Sequence, residues 1–142
     1  MQPRDVLNRL LRDEKERARL AGILKGLFKI FLKDWFRWEV MGWILALHMG
    51  FSREEIETAP ELGWFAKVAL ALALLQSPKQ DERLLGRALL YHTELPPDEL
   101  FVLHGGELLP SVIYHYRTSF KSEKVWKDVD DVARQVDELL RE

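Results

Sequence analysis

Apolar residues recur at helical spacing through most of the chain, and the breaks in that pattern divide it into segments. Pro3 suits a first helical turn, and Val6, Leu7, Leu10, Leu11 and Leu20 predict an apolar face over 3–21, across a charged middle from Asp13 to Arg19. Gly22 and Gly26 loosen the chain before a far more apolar stretch, read as one helix over 24–48. It carries Phe28, Phe31, Trp35, Phe36, Trp38 and Trp43, and a helix apolar nearly all round is either a core helix or a membrane span. Lys25, Lys29, Lys33 and Arg37 recur every four residues along it. Charges at that density interrupt any run of about 20 apolar residues, so the segment is expected to be the central helix of a bundle with one wet, basic face.

Gly50 ends that helix, and Ser52 with Glu55 three residues on forms the sequence of a capping box for a helix over 53–59, stopped by Pro60. Residues 62–76 read as a buried, Ala-rich helix. After Ser77-Pro78, residues 80–92 read as another, with Leu84, Leu85, Ala88, Leu89 and Tyr91 inward. Pro96-Pro97 opens a short helix that ends at Gly105-Gly106. Residues 108–119 combine strand formers (Val112, Ile113, Tyr114, Tyr116) with a proline suited to a helix start, and the balance favours helix. After Ser122 as N-cap, Val125, Val129, Val132, Val136 and Leu139 repeat at 4-3-4-3 spacing, widened by Trp126, Ala133 and Leu140. This last helix docks on the bundle or on a second copy of the chain.

A faint internal echo runs through the pattern. Residues 40–56 align without a gap on 84–100, matching Gly42 with Gly86, Leu45 with Leu89, His48 with His92 and Glu55 with Glu99. An offset of 44 residues is the size of a helical-hairpin repeat, although two amphipathic helices can also match by chance. The expected fold is all-α: a single domain over 1–142, a compact bundle of six to eight helices, with two stacked helical hairpins and an amphipathic C-terminal helix as its possible plan.

Composition narrows the function classes. The 142 residues contain no cysteine, which removes disulfides, thiolate metal sites and cysteine nucleophiles together. The start has no signal-peptide pattern, and a cytoplasmic location is expected. One asparagine and four glutamines, with 31% charged residues, follow the thermophile bias. The net charge of −2 hides an asymmetry: residues 1–47 hold ten Lys/Arg against six Asp/Glu, and 48–142 hold eleven against seventeen. An anionic partner is therefore expected at the first third.

Candidate chemistry is sparse. Lys25, Lys29, Lys33 and Arg37, interleaved with aromatics, either hold a phosphate backbone while a ring stacks on a base, or are the solvated face of a core helix. The run Ala46 to Ile56 has the spacing of a helix-turn-helix core, but its second helix would bring Glu54, Glu55 and Glu57 toward phosphates with a single Arg53. Met49 to Glu55 also resembles the first loop of ubiquitin-associated domains, while Pro60 to Trp64 lacks that family's Gly-Asn turn and third short helix. Arg87-Ala88-Leu89-Leu90-Tyr91-His92 is similar to the Arg-x4-His motif of HEPN-type ribonucleases, small all-helical proteins. That resemblance implies that Arg87 binds the scissile phosphate and His92 serves as acid or base at the ribose hydroxyl. The family's usual polar residue after the arginine is Ala88 here.

His48, His92, His104 and His115 form no His-x3-His pair, so no metal site is assigned. His48 and His92 read instead as helix-end residues, where the macrodipole favours a protonated ring. His104-Gly105-Gly106 is similar to the oxyanion loop of some hydrolases, without the Gly-x-Ser-x-Gly that would accompany it. No cofactor is indicated. The first expectation is thus a non-enzymatic interaction module, an adaptor or regulator on a larger protein assembly. It would use the basic face or the C-terminal helix residues Val125, Trp126, Val129, Val132 and Val136, with a protein partner or a second copy and with no membrane or small-molecule substrate. A nucleic-acid-binding subunit of a ribonucleoprotein or transcription complex is the alternative, and a small ribonuclease is the third.

Overall fold

The computed structural model describes residues 3–33, 38–92 and 122–141, and within them every regular element is an α-helix. In chain order these are α1 (Pro3–Arg12), α2 (Glu14–Lys33), α3 (Trp38–His48), α4 (Arg53–Thr58), α5 (Leu62–Leu75), α6 (Gln80–His92) and α7 (Ser122–Arg141). The all-α reading is therefore correct. The expectations for 93–121, including the short helix after Pro96-Pro97 and the strand-or-helix stretch 108–119, lie outside the described residues, as do Trp35, Phe36 and Arg37.

The first break falls at Asp13 and not at Gly22. The Asp13 carboxylate accepts from the backbone N–H groups of Lys15 and Glu16, both at 3.1 Å, and so starts a new helix that runs straight through Gly22 and Gly26 to Lys33. Two glycines cost a helix about 1 kcal/mol each relative to alanine, too little to stop one that buries Leu20, Leu24 and Leu27 completely. Of the expected helix 24–48, residues 24–33 belong to α2 and 38–48 to α3, and 34–37 lie outside the described residues.

The centre of the bundle is α5 and not the aromatic segment. Twelve of its residues are buried, Lys67 among them, and it packs against α3, α6, α1 and α2. Its small residues permit this: Gly42 on α3 faces Gly63 so closely that a Cβ there would stand 2.5 Å from the Gly63 carbonyl oxygen. On α6, a Cβ at Gly86 would meet the Ala71 carbonyl and Leu74 Cβ at 3.0 Å. The two glycines matched by the internal echo thus serve the same purpose on two neighbours of one helix. α6 turns outward more than expected: Leu89 is fully buried, whereas Ala88 is exposed and Leu84 is 56% exposed.

α3 ends as its sequence predicts. Gly50 has φ 106°, its N–H donates to Leu47 O and that of Phe51 to Ala46 O, the hydrogen bonds of a Schellman motif. Ser52 then caps α4 in a complete capping box, its hydroxyl accepting from the Glu55 N–H while the Glu55 carboxylate accepts from the Ser52 N–H, each at 3.0 Å. α7 closes the bundle against α2 and α3, with the Trp126 ring 4.6 Å from that of Trp43. No helix among the described residues is long and apolar enough to cross a membrane.

Candidate functional site

Seven of the ten cations of the N-terminal third fall into two groups with different work, and Arg4, Arg12 and Lys15 stand exposed on α1 and at the start of α2. Arg9, Arg17 and Arg19 are engaged with the carbonyl ends of helices. Arg17 is buried, and its Nη1 donates to Leu10 O and Leu11 O at 3.1 and 3.0 Å, closing the end of α1. Arg9 Nη2 donates to Met49 O and Arg19 Nη2 to His48 O, both at 2.6 Å, closing the end of α3. Glu16 lies between them, bidentate on Arg19 and 3.9 Å from Arg9. Positive charge at a helix C-terminus opposes the macrodipole's negative end, so these guanidinium groups perform the electrostatic role that the sequence suggested for His48.

His48 does the reverse of that suggestion. Half-buried at the end of α3, its imidazole is pushed below the usual histidine range, first by burial and then by the Arg19 charge, with Asp137 acting in the opposite sense. A second cation beside Arg19 is unfavourable, and the ring is held toward its neutral form.

The second group faces solvent. Lys25 and Lys29 stand exposed one turn apart on α2, and Lys33 is the last described residue of that helix. Arg37 lies outside the described residues. The basic stripe therefore has two described, exposed members, and Lys25 Nζ is 3.7 Å from the Asp81 carboxylate of α6. On the far side of the same helix, Leu24 and Leu27 are in the core, and Gly26 lies against Val136 of α7.

The C-terminal residues singled out as a partner surface are spent on the chain itself. Val125, Trp126, Val129, Val132 and Val136 are all buried against α2 and α3. What α7 leaves outside is polar, apart from Leu140 near its end. The Arg53 guanidinium sits 4.3 Å from the Trp126 ring centre and 3.2 Å from Asp130, tying α4 to α7. In the helix-turn-helix-like corner, therefore, the single arginine is engaged, and Glu54 in the first turn and Glu57 near the end of a six-residue helix face solvent. That corner repels phosphate.

Arg87 is exposed on α6, and α6 runs without interruption to His92. Five residues along a continuous helix are about 140° apart around its axis, which sets positions 87 and 92 on divergent sides. Among the described residues no group of three His, Asp or Glu could hold a metal ion.

Two features escaped the sequence reading. Lys67 is fully buried in α5, although a lone lysine in an Ala-rich run gives no sign of which side it faces. The other is a cleft of about 250 Å³ lined by Leu75, Gln80, Arg83, Leu84 and Arg87, formed where the turn after α5 leads into α6. Its signal was the Arg83–Leu84–Arg87 spacing at i, i+1 and i+4, of which Leu84 was expected to face inward. Comparison with protein-family models, with curated proteins and with solved structures finds no match to this chain.

Proposed function

We propose that the chain is a non-enzymatic interaction module, an adaptor or regulator that docks on a larger protein assembly through the exposed side of α2. The observation that carries this reading is the pair Lys25 and Lys29, held in solvent on a helix whose other side is fixed in the core, with Asp81 beside Lys25. A rigid surface of mixed sign suits the polar rim of a protein interface, where charges set register and partner choice. A phosphate backbone calls for more cations, and three arginines of this third are engaged at helix ends. A cytoplasmic setting belongs to the same proposal.

The nucleic-acid reading keeps one supporting observation, the continuation of the four-residue recurrence through Lys33 and Arg37 in the sequence. The test is anisotropy of labelled single-stranded RNA and of single- and double-stranded DNA over a salt series, alongside pull-down from the native host. The interaction-module reading expects no nucleic-acid binding at low salt, and a captured protein that the K25E/K29E variant loses. Tight binding with a steep salt slope that the same variant flattens would replace it with the nucleic-acid reading. Nuclease activity abolished in a normally folded His92→Ala protein would establish the third.

A further inference from the structure

Leu84 is 56% exposed, more than any other large apolar side chain among the described residues. A single exposed leucine is ordinary. This one stands among cations. It lines the α6 cleft together with Leu75, Gln80, Arg83 and Arg87, and among the described residues no carboxylate lines it. Positions 80, 83, 84 and 87 fall within about 100° around the axis of one continuous helix, so the leucine and both arginines lie on one side of it.

The nearest carboxylates in sequence are engaged elsewhere. Asp81 faces Lys25 of α2 at 3.7 Å, and buried Glu82 accepts from the Ser77 hydroxyl at 2.6 Å. Arg83 Nη1 donates to Ser77 O at 2.8 Å, which fixes its guanidinium at the cleft. Arg87 is exposed and pairs with no described carboxylate. The cleft therefore carries positive charge that the described residues do not balance, beside an apolar wall. Its volume, about 250 Å³, falls below the roughly 300–1,000 Å³ of pockets that enclose a whole small molecule. One side chain with an acid group beside it suits that space. A bare anion would leave Leu75 and Leu84 in water, and an apolar group alone would cover two cations without pairing them.

We propose that this cleft docks an acidic segment of a partner protein, with a leucine-sized side chain seated against Leu75 and Leu84 and a flanking carboxylate on Arg87 and Arg83. Arginine holds carboxylates through its planar fork of donors, and it is enriched in protein interfaces for that reason among others. The contact is small, so by itself it is weak. It adds a second surface to the docking reading and fails or stands separately from it, because the test leaves Lys25 and Lys29 unchanged.

Heteronuclear NMR of the isotope-labelled full chain, titrated with the end-blocked peptide Gly-Glu-Leu-Glu-Gly, measures the contact. The expected result is saturable amide shifts around Leu75 and 80–87, with a dissociation constant on the order of 1 mM or tighter. Gly-Gln-Leu-Gln-Gly, which lacks the charges, and Gly-Glu-Ala-Glu-Gly, which lacks the apolar anchor, each bind about fivefold or more weakly. Arg87→Glu weakens the parent peptide by about fivefold or more, whereas Lys127→Glu, the same charge change at an exposed site on α7, alters it by less than about twofold. Arg87 is exposed, and an unchanged thermal melt confirms that its variant folds; the peptide series reads the same contact on the unmodified chain. No saturable shift up to about 10 mM peptide overturns the proposal, as do shifts confined to another part of the chain or equal affinity for the three peptides. Equal weakening by the two variants overturns the cleft as the site. Inorganic phosphate or a single-stranded RNA oligomer producing the same shifts at lower concentration replaces the acidic segment with a phosphate ligand, and cleft shifts on dilution of the chain alone replace it with a second copy.

Discussion

Replacing Gly42 with alanine tests the packing that organises this bundle. In an exposed helix the change would stabilise by about 1 kcal/mol through helix propensity. Here the new Cβ stands 2.5 Å from Gly63 O, 2.8 Å from Gly63 C and 3.1 Å from Gly63 Cα, whereas ordinary contact begins at 3.4 Å. All three atoms are backbone, so no side-chain rotation relieves the overlap. α3 and α5 must separate by about 1 Å, and a gap of that size forfeits a quarter to a half of each dispersion contact it opens. The residues at stake include Trp43, Ile44, Leu45, Trp64 and Phe65, all fully or almost fully buried. Overpacking costs about 1–3 kcal/mol in general, and a backbone clash belongs at or above the top of that range. Net of the propensity gain, Gly42→Ala is expected to destabilise by about 2 kcal/mol, lowering Tm by roughly 6 °C in a chain of this length.

The other glycines supply the controls. A Cβ at Gly22 meets nothing within 4 Å and one at Gly26 meets Val136 Cγ1 at 3.8 Å, so alanine at either is expected to be neutral or to stabilise by up to about 1 kcal/mol. Gly86, with contacts at 3.0 Å, falls between them and Gly42. Urea unfolding followed by circular dichroism gives the order Gly22, Gly26, Gly86, Gly42 from most to least tolerant. A Gly42→Ala protein as stable as wild type, or a Gly22→Ala protein less stable than Gly42→Ala, would refute the close approach of α3 to α5.

Two further outcomes follow from the helix ends. Arg17→Met keeps an apolar stem but removes the donors to Leu10 O and Leu11 O, and is expected to cost about 2–3 kcal/mol in the same assay; wild-type stability would show those carbonyls satisfied otherwise. His48 gives a pH dependence: its folded form binds a proton less readily than the unfolded chain, whose imidazole titrates near 6.5, so stability falls as pH drops through 6.5 toward the lowered folded value. Urea midpoints of wild type and His48→Gln from about pH 7.5 to 5.5 check this, the variant showing the flatter profile; parallel profiles would remove His48 as the cause. Glu55, lowered by the Ser52 N–H and then its hydroxyl, acts in the same sense at lower pH, its stabilisation being present above 4.5 and lost as pH falls through the lowered value.

What was legible in the sequence was local. The Ser52–Glu55 capping box, the Gly50 terminus and the start of α6 after Ser77-Pro78 each depend on residues within a few positions, and each stands where the pattern set it. What was not legible depends on distant partners. The roles of Arg9 and Arg19 escaped the sequence, because nothing nearby announces the carbonyls 40 and 29 residues away that they close. The break at Asp13 escaped for a related reason: Arg12-Asp13-Glu14-Lys15-Glu16 is a good helix sequence, and a residue-by-residue propensity does not register that Asp13 can instead cap the helix after it. Of the candidate site, the outward direction of Lys25 and Lys29 was readable from periodicity, and the engagement of Lys25 with Asp81 was not.

The internal echo now has a physical content that bears on where function can reside. Its strictest matches are positions of approach to α5: Gly42 and Gly86 meet its backbone, and Leu45 and Leu89 are both fully buried. The contact points on α5, Gly63 and Ala71, are eight residues apart, about 12 Å along the axis and about 80° around it, so α3 and α6 flank one helix at successive levels. The match fails at Val40 and Leu84, the first fully buried and the second exposed, and α7 packs on α3. The shared glycines and leucines therefore serve the core. Where the two segments differ, α6 carries Leu84 with Arg87 where α3 has Val40 with Trp43, and presents a charged cleft where α3 has a covered side. On the proposed interaction-module reading, the partner is accordingly to be sought on the outer sides of α2 and α6, where Lys25 and Asp81 meet, rather than at the glycines and leucines that the echo keeps.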